Sequence, residues 1–167
     1  RLDDNYVLEA GALSASADKA VASGRALGLA DERIYTSYLE MADREAARAD
    51  GIEAVAIVTP NHLHVEIATA FLERGIHVIC DKPLATSLSN ARALADTVRR
   101  TGLVFALTHT YAGYPMIRQA RQLAADGALG DIRVVRVDYA QDWLAEPIEE
   151  TGQKQAAWRT DPPQAGA

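Results

Sequence analysis

The chain has 167 residues, 49% of them hydrophobic, and a formal net charge of −6, which fits one domain, alone or with part of a second. The charges are spread along the chain without a basic stripe, so we expect no nucleic-acid partner. The single cysteine, Cys80, cannot form a disulfide within the chain, no apolar run reaches the roughly 20 residues that cross a bilayer, and no signal peptide is recognisable. We therefore expect a cytoplasmic protein with no membrane partner. Because the chain lacks an initiating Met and stops in a loop, we also expect a segment of a longer protein.

The first third of the chain predicts one strand and two helices. Leu8–Ser14 is predicted as a strand and Asp18–Leu27 as a helix. Gly28 ends that helix, because glycine adopts a left-handed conformation at little cost. Ser37–Ala49 is predicted as the second helix.

The middle of the chain alternates short apolar runs with helical stretches. Uninterrupted apolar runs of this length are typical of strands buried on both faces of a parallel sheet. The helices predicted between them are Leu63–Arg74 and Ser87–Arg100. This alternation predicts an α/β fold with a doubly wound parallel sheet. The predicted strands are Ala54–Val58, His77–Cys80 and Leu103–Thr108.

The last part of the chain predicts a different kind of sheet. A helix over Pro115–Asp126 leads to a strand over Ile132–Gln141, in which Val135 and Val137 fall on one side and charged residues on the other. Such alternation indicates a half-exposed strand in an open sheet. We expect residues 1–113 to form part of the α/β domain and residues 114–167 to begin a second domain.

Polar residues follow the predicted strands at the edge where ligands bind in open α/β sheets. Thr59-Pro60-Asn61 forms a rigid turn before a helix N-terminus, which suits phosphate, ribose or amide groups. The alternative is an ordinary Asn cap. In Asp81-Lys82, a charged pair beside a buried strand indicates either a binding site, with Asp81 as ion partner of Lys82, or a surface ion pair.

A third turn follows the strand that ends at Thr108. His109 and Tyr111 are candidates to line the same pocket, although a single histidine in this place is more often structural. Pro83, in the second turn, is compatible with either a trans or a cis peptide bond. The four histidines and Cys80 do not have the spacing of metal ligands, so we expect no metal site.

Together these residues resemble the Gfo/Idh/MocA oxidoreductases, the family of glucose–fructose oxidoreductase and inositol dehydrogenase. Residues Ala54–Pro83 are similar to the family's pattern of strand, TPxxxH, helix and GxHVxxEKP, and the similarity extends from Ala12 to Arg159. The resemblance implies an N-terminal Rossmann-type domain and a C-terminal α/β domain with an open antiparallel sheet.

The resemblance also implies a function and a set of site residues. It implies an oxidoreductase that transfers hydride between NAD or NADP and a sugar, cyclitol or related polyol, working as a homo-oligomer, with Lys82 as the catalytic residue. The implied cofactor contacts are Ser14, Thr59, Pro60, Asn61, His64, Asp81, Lys82, Pro83 and His109. The implied substrate contacts are Lys82, Tyr111, Trp158 and Arg159.

The chain departs from the family pattern in several ways. Asp81 replaces a Glu, and Ser14 stands where an acidic residue would bind the ribose of NAD, so the choice between NAD and NADP stays open. The first strand with its Gly-x-Gly-x-x-Gly turn and the later Asp…His pair are not within these 167 residues. Without that phosphate-binding turn and the proton-transferring His, the isolated chain is expected to be inactive. The missing strand is central in the order 3-2-1-4-5-6, so two edges are left unpaired and the chain is expected to associate or rearrange. The alternative function is a non-catalytic dinucleotide-binding or assembly module.

Overall fold

The computed structural model describes residues 5–140, 142, 145–152 and 156–166. Two helices come first, helices and strands then alternate through the middle of the chain, and the described elements after the last strand are helical. None of the helices in these ranges is long and apolar enough to span a membrane. The elements are α1 (Ala17–Ala26), α2 (Tyr38–Ala46), β1 (Ala54–Ile57), α3 (His64–Leu72), β2 (His77–Cys80), α4 (Leu88–Thr101), β3 (Phe105–Leu107), α5 (Pro115–Ala125), α6 (Ala156–Arg159) and α7 (Pro162–Ala165).

Three parallel strands form the sheet in the order β1-β2-β3. Ala54 pairs with His77 at the start of the first ladder, and Val78 pairs with Phe105 at the start of the second. Helix α3 connects β1 to β2, and α4 connects β2 to β3. Parallel strands joined by crossover helices are the Rossmann-like α/β arrangement, so the predicted fold class is confirmed.

The strand predicted at Leu8–Ser14 is reduced to a single parallel bridge between Gly11 and Ile34. The Gly11 N–H donates to the Arg33 carbonyl at 3.1 Å, and the Tyr35 N–H donates to the Gly11 carbonyl at 2.9 Å. A longer ladder needs a partner strand, and none of the described residues pairs with the other side of this segment. Among the described residues β1 is an edge strand, and Val58 just beyond it is 82% exposed. The prediction that this run is buried on both faces is therefore wrong there.

The core lies where α3 packs against the sheet and against α4. Phe71 and Leu72 of α3 are 1% exposed, Val78 and Cys80 of β2 are fully buried, and Leu94 covers them from α4. Burial raises the pKa of the Cys80 thiol to about 11, so this cysteine is an inert core residue.

A second buried cluster is polar and joins α2 to the bridge segment. The Arg33 guanidinium donates to both carboxylate oxygens of Glu45, at 3.2 and 2.5 Å, and the Tyr35 hydroxyl donates to the same carboxylate at 2.7 Å. The Ile52 backbone N–H also donates to the Glu45 carboxylate, at 3.2 Å. Glu45 therefore holds together α2, the bridge segment and the loop that enters β1.

Serine side chains and glycines mark several helix ends, among them the end that Gly28 predicts. The Ser37 hydroxyl accepts from the Leu39 N–H at 3.2 Å, and the Ser87 hydroxyl accepts from the Asn90 N–H at 3.2 Å, so serine side chains cap α2 and α4. Gly102 ends α4 with φ 67, and Gly28 follows α1 with φ 78. A side chain at either glycine would be strained in this left-handed conformation.

The strand predicted at Ile132–Gln141 is wrong for its described part, because residues 132–140 form no ladder. Val135 is 77% exposed and Val137 is 81% exposed. A β-strand is stabilised by hydrogen bonds to a neighbour, and no described residue offers this segment one. The open antiparallel sheet of a second domain is therefore not present in the described part of the chain.

Candidate active site

The three polar turns meet at one edge of the sheet, because the carboxyl ends of parallel strands lie side by side. The Asp81 N–H donates to the Ile57 carbonyl at 2.9 Å, and the Thr108 N–H donates to the Cys80 carbonyl at 2.9 Å. Each turn is therefore fixed to the strand before it in the sheet order, and their convergence agrees with the sequence prediction.

The Asp81 carboxylate is a structural acceptor in the second turn. One oxygen accepts the Thr108 hydroxyl at 2.6 Å and the Lys82 backbone N–H at 2.9 Å. The Thr108 hydrogen bond is the main cause that lowers the pKa of Asp81, and it outweighs the opposing effect of burial. The predicted direct ion pair with the Lys82 ammonium does not form, since the carboxylate is aimed at the neighbouring strand end.

Lys82 is exposed at the tip of this turn, and its side chain lines a cavity of about 750 Å³. The Lys82–Pro83 peptide bond is cis, one of the two isomers that the sequence allows. The ammonium offers three N–H donors on a flexible stem, which suits contacts with hydroxyl and carbonyl oxygens.

The first turn lines the same cavity through Thr59, Pro60 and Asn61. The Asn61 side-chain amide donates to the Ala165 carbonyl at 2.8 Å, which joins this turn to α7. The Thr59 hydroxyl oxygen is buried and has no hydrogen-bond partner among the described residues. A buried hydroxyl without a partner is costly, so a ligand that bonds to it would be stabilised here.

The opposite side of the cavity is formed by residues 145–149 and 158–160 together with Ala165. Trp158 and Arg159, both predicted to contact substrate, lie on this side, with the guanidinium 5.0 Å from the Trp158 ring centroid. Glu146 and Glu149 also line the cavity, and the sequence analysis missed both. No motif marks them, because they precede or occupy a short 3₁₀ turn, Ile148–Glu150, without any periodic pattern.

Several predicted site residues lie outside the cavity lining. The Ser14 hydroxyl accepts from the Ser16 N–H at 3.2 Å, and His109 is exposed after β3. Tyr111 is 60% exposed and its hydroxyl lies 2.8 Å from that of Tyr139. None of these three residues lines the cavity that Lys82 lines.

His64 lies between the first two turns and contacts Pro83 of the second. The ring Nδ1 of His64 is 2.7 Å from the Pro83 carbonyl oxygen, and Nε2 is 2.9 Å from the Thr59 carbonyl oxygen. Neither ring nitrogen is left free for a cofactor. Across the described ranges, no group of three or more His, Cys, Asp or Glu side chains is arranged to hold a metal ion.

Comparison with known proteins identifies the class of protein that this fold and site define. The family described as "Oxidoreductase family, NAD-binding Rossmann fold" (GFO/IDH/MocA) matches residues 9–109, more than half of the chain. The GFO/IDH/MocA C-terminal domain matches residues 117–167. The chain therefore belongs to the GFO/IDH/MocA oxidoreductase family and carries its NAD-binding Rossmann domain.

Individual relatives agree with this assignment. An uncharacterised oxidoreductase of Bacillus subtilis (strain 168), YfiI, is 38% identical over 99% of the chain and 42% of its own length. A levoglucosan dehydrogenase of Pseudarthrobacter phenanthrenivorans is 42% identical over 58% of the chain and 25% of its own length. The crystal structure of an inositol dehydrogenase homologue with NAD⁺ from Azotobacter vinelandii superposes with a TM-score of 0.90 at 38% identity, covering 98% of this chain and 42% of that one. The chain thus spans about two fifths of the length of YfiI and of the inositol dehydrogenase homologue.

Proposed function

We propose that this chain contributes the nicotinamide side of the active site in an NAD(P)-dependent dehydrogenase that acts on a hydroxyl-bearing carbon of a sugar, cyclitol or related polyol. The observation that supports this most is the cavity of about 750 Å³, which brings Lys82 together with the Thr59–Asn61 turn and with Trp158 and Arg159. A volume of this size is within the range of small-molecule sites. Residues 114–167 would then begin the substrate domain, and the working protein would be a homo-oligomer.

The residues of the first turn fit one end of a dinucleotide. The buried Thr59 hydroxyl lacks a partner among the described residues, and a ribose hydroxyl or a carboxamide would satisfy it. Pro60 and Asn61 would contact the same end, with Asp81 and Pro83 shaping the neighbouring turn. When bound, NAD supplies a nicotinamide ring that exchanges a hydride with the substrate carbon.

Lys82 is the residue that we propose to act on the substrate. Its Nζ would donate a hydrogen bond to the reacting hydroxyl oxygen and to the nicotinamide ribose, and so hold both in one orientation. Glu146 and Glu149 across the cavity offer acceptors for further hydroxyl groups, while the Trp158 ring offers an apolar face. This combination suits a ring with several hydroxyl groups.

The relatives suggest the cofactor and the first substrates to test. One solved structure of the inositol dehydrogenase homologue from Azotobacter vinelandii contains NADH and myo-inositol, and one of levoglucosan dehydrogenase contains NADH and levoglucosan. We propose NAD for this protein as well, with NADP as the alternative, because Ser14 carries no charge that would repel a 2′-phosphate.

The test uses the full-length product of the gene. We expect NADH to bind in a fluorescence titration and NAD⁺ to be reduced with a cyclitol or sugar. Lys82→Met should lower kcat by about 10²–10³-fold, the usual loss on removing one catalytic donor, and Lys19→Met, on the exposed face of α1, should leave kcat unchanged. Absence of NADH and NADPH binding would contradict the proposal. Binding without reduction of NAD⁺ by any polyol would favour the non-catalytic module, and the 167 residues alone should show no turnover.

A further inference from the structure

His64, the first residue of α3, is fully buried between the two turns that line the cavity. Its Nδ1 lies 2.7 Å from the Pro83 carbonyl oxygen, and its Nε2 lies 2.9 Å from the Thr59 carbonyl oxygen. Thr59 begins the first turn, and Pro83 directly follows Lys82 in the second. A single side chain therefore bridges the backbones of the two turns.

Both partners of the ring are carbonyl oxygens, which only accept hydrogen bonds. A neutral imidazole has one N–H donor and one acceptor nitrogen, so one of these two contacts would bring lone pairs together. The protonated ring has an N–H at both positions and satisfies both oxygens. The geometry thus favours a doubly protonated ring.

A positive charge in this buried place needs a compensating negative charge. The Asp81 carboxylate of the second turn interacts with such a charge at a distance rather than in a direct ion pair. Its pKa is lowered mainly by the Thr108 hydrogen bond, and the charge of His64 lowers it further. Other ionisable groups close by in the chain, His62, Glu66 and Lys82, have exposed side chains.

We propose that His64, protonated on both ring nitrogens, is a positioning residue that holds the Lys82–Pro83 turn against the Thr59–Asn61 turn and thereby sets where the Lys82 ammonium lies in the cavity. The expected changes in kcat and in cofactor binding rest on the proposed function, because they follow only if Lys82 acts on cofactor and substrate. His64 itself touches neither, because both of its nitrogens bond to the protein. Its effect is expected in both turns at once, on cofactor affinity through Thr59 and on the chemical step through Lys82.

The experiment compares two substitutions at His64 with a matched control in the full-length protein. His64→Phe keeps an aromatic ring but removes both bridges, while His64→Gln keeps one donor group. His62→Gln changes an exposed histidine two residues away that contacts neither carbonyl. For each protein we would measure the NADH dissociation constant and kcat per NADH-binding site, so that loss of folded protein does not enter either value.

We expect His64→Phe to weaken NADH binding and to lower kcat per site, each by about tenfold or more, because displacement of a positioning element by about 1 Å has effects of this scale. His64→Gln should fall between this variant and the wild type, and His62→Gln should match the wild type. A purely structural role would reduce the number of binding sites without changing either value per site.

The protonation state is measured by NMR on ¹⁵N-histidine-labelled protein, with His64→Phe used to assign the signals. Two ring N–H groups on His64 would support the inference, and a single ring N–H would overturn it. Values per site for His64→Phe within about twofold of wild type would also overturn it. If the wild type binds no NADH, the proposed function fails, and the number of ring N–H groups still decides the inference.

Discussion

Helices α3 and α5 have similar lengths and both carry apolar side chains on one face, yet only α3 is buried. Its Ile67, Phe71 and Leu72 are at most 4% exposed, because β1, β2 and α4 surround it. In α5 no residue is buried, and Met116 is 72% exposed. Among the described elements, the short 3₁₀ turn Thr110–Gly113 is the one that α5 contacts most. Amphipathic sequence makes a helix in both places, but burial depends on elements that cover it.

The same difference separates the two kinds of strand. β2 has a partner on each side, and its Val78 and Cys80 are completely buried. Residues 132–140 have an alternating pattern but no ladder partner within the described ranges. The turns of the candidate site follow the strands of this covered region. The described residues between 145 and 166 form the opposite side of the cavity. Stability is therefore expected to depend on the first region, and the following changes test that expectation.

The largest effect is expected from removing a core side chain in α3. Phe71→Ala deletes a ring that is 1% exposed and should lower the free energy of unfolding by about 4 kcal/mol, from lost burial and the cavity left behind. Met116→Ala, on the exposed face of α5, should change it by less than about 0.5 kcal/mol. Urea unfolding followed by circular dichroism measures both. Equal losses would show that α5 is covered as fully as α3 in the protein.

A second effect concerns the buried ion pair of Arg33 and Glu45. Their side chains are 6% and 0% exposed, so Glu45→Gln removes the buried counter-charge of the guanidinium, leaves it only the exposed carboxylates of Glu9 and Asp50, and should cost about 3 kcal/mol. Arg99→Gln removes an exposed pair with Asp96, in which both side chains are at least 70% exposed, and should have almost no effect. Urea midpoints of the two variants at pH 7 measure the difference. Similar midpoints would contradict the assignment of Glu45 as the link between α2 and the bridge segment.

The same pair predicts a dependence of stability on pH. Burial opposes ionisation of Glu45, but hydrogen bonds from Arg33 and Tyr35 outweigh it and lower the pKa of this carboxyl. A lowered carboxyl pKa stabilises the folded state above the ordinary value of about 4.3, and this contribution is lost as the pH falls through the folded-state pKa. The wild type should therefore lose more stability than Glu45→Gln on acidification. An equal loss of unfolding free energy in the two proteins between pH 7 and about 3 would contradict this, because both contain the same other carboxylates.

The sequence predicted those parts of the site that follow regular elements. Thr59 and Lys82 each lie two residues beyond a strand of the parallel sheet. Parallel strands bring such residues to one edge, so their proximity followed from pattern alone. Glu149 and the bond between Asn61 and Ala165 could not be predicted in this way. They depend on how an irregular segment returns to the sheet, and no periodicity encodes that return.

The remaining errors have the same physical origin. Hydrophobic alternation indicates that residues 132–140 are compatible with a strand, but a strand forms only with a hydrogen-bonded partner. The pattern at Leu8–Ser14 was likewise compatible with a strand, and a single bridge at Gly11 is what the described partners allow. Local sequence thus predicts whether a segment is compatible with a helix or a strand better than it predicts which other elements pair with it or bury it.

The smallest effect tests local helix signals within the covered region. The Ser87 hydroxyl accepts from the Asn90 N–H at 3.2 Å and lies 3.0 Å from the Ser89 hydroxyl. Ser87→Ala removes the cap of α4 and should lower the free energy of unfolding by about 1 kcal/mol. Ser89→Ala removes only the exposed hydroxyl contact and should lower it by about a few tenths of a kcal/mol. By contrast, the N-cap residue of α5, Tyr114, makes no side-chain cap hydrogen bond. Ser87→Asp keeps an acceptor and should restore the stability of the wild type. If Ser87→Ala and Ser89→Ala have equal urea midpoints, the cap contributes nothing, and the packing of α3 against α4 alone holds the start of that helix.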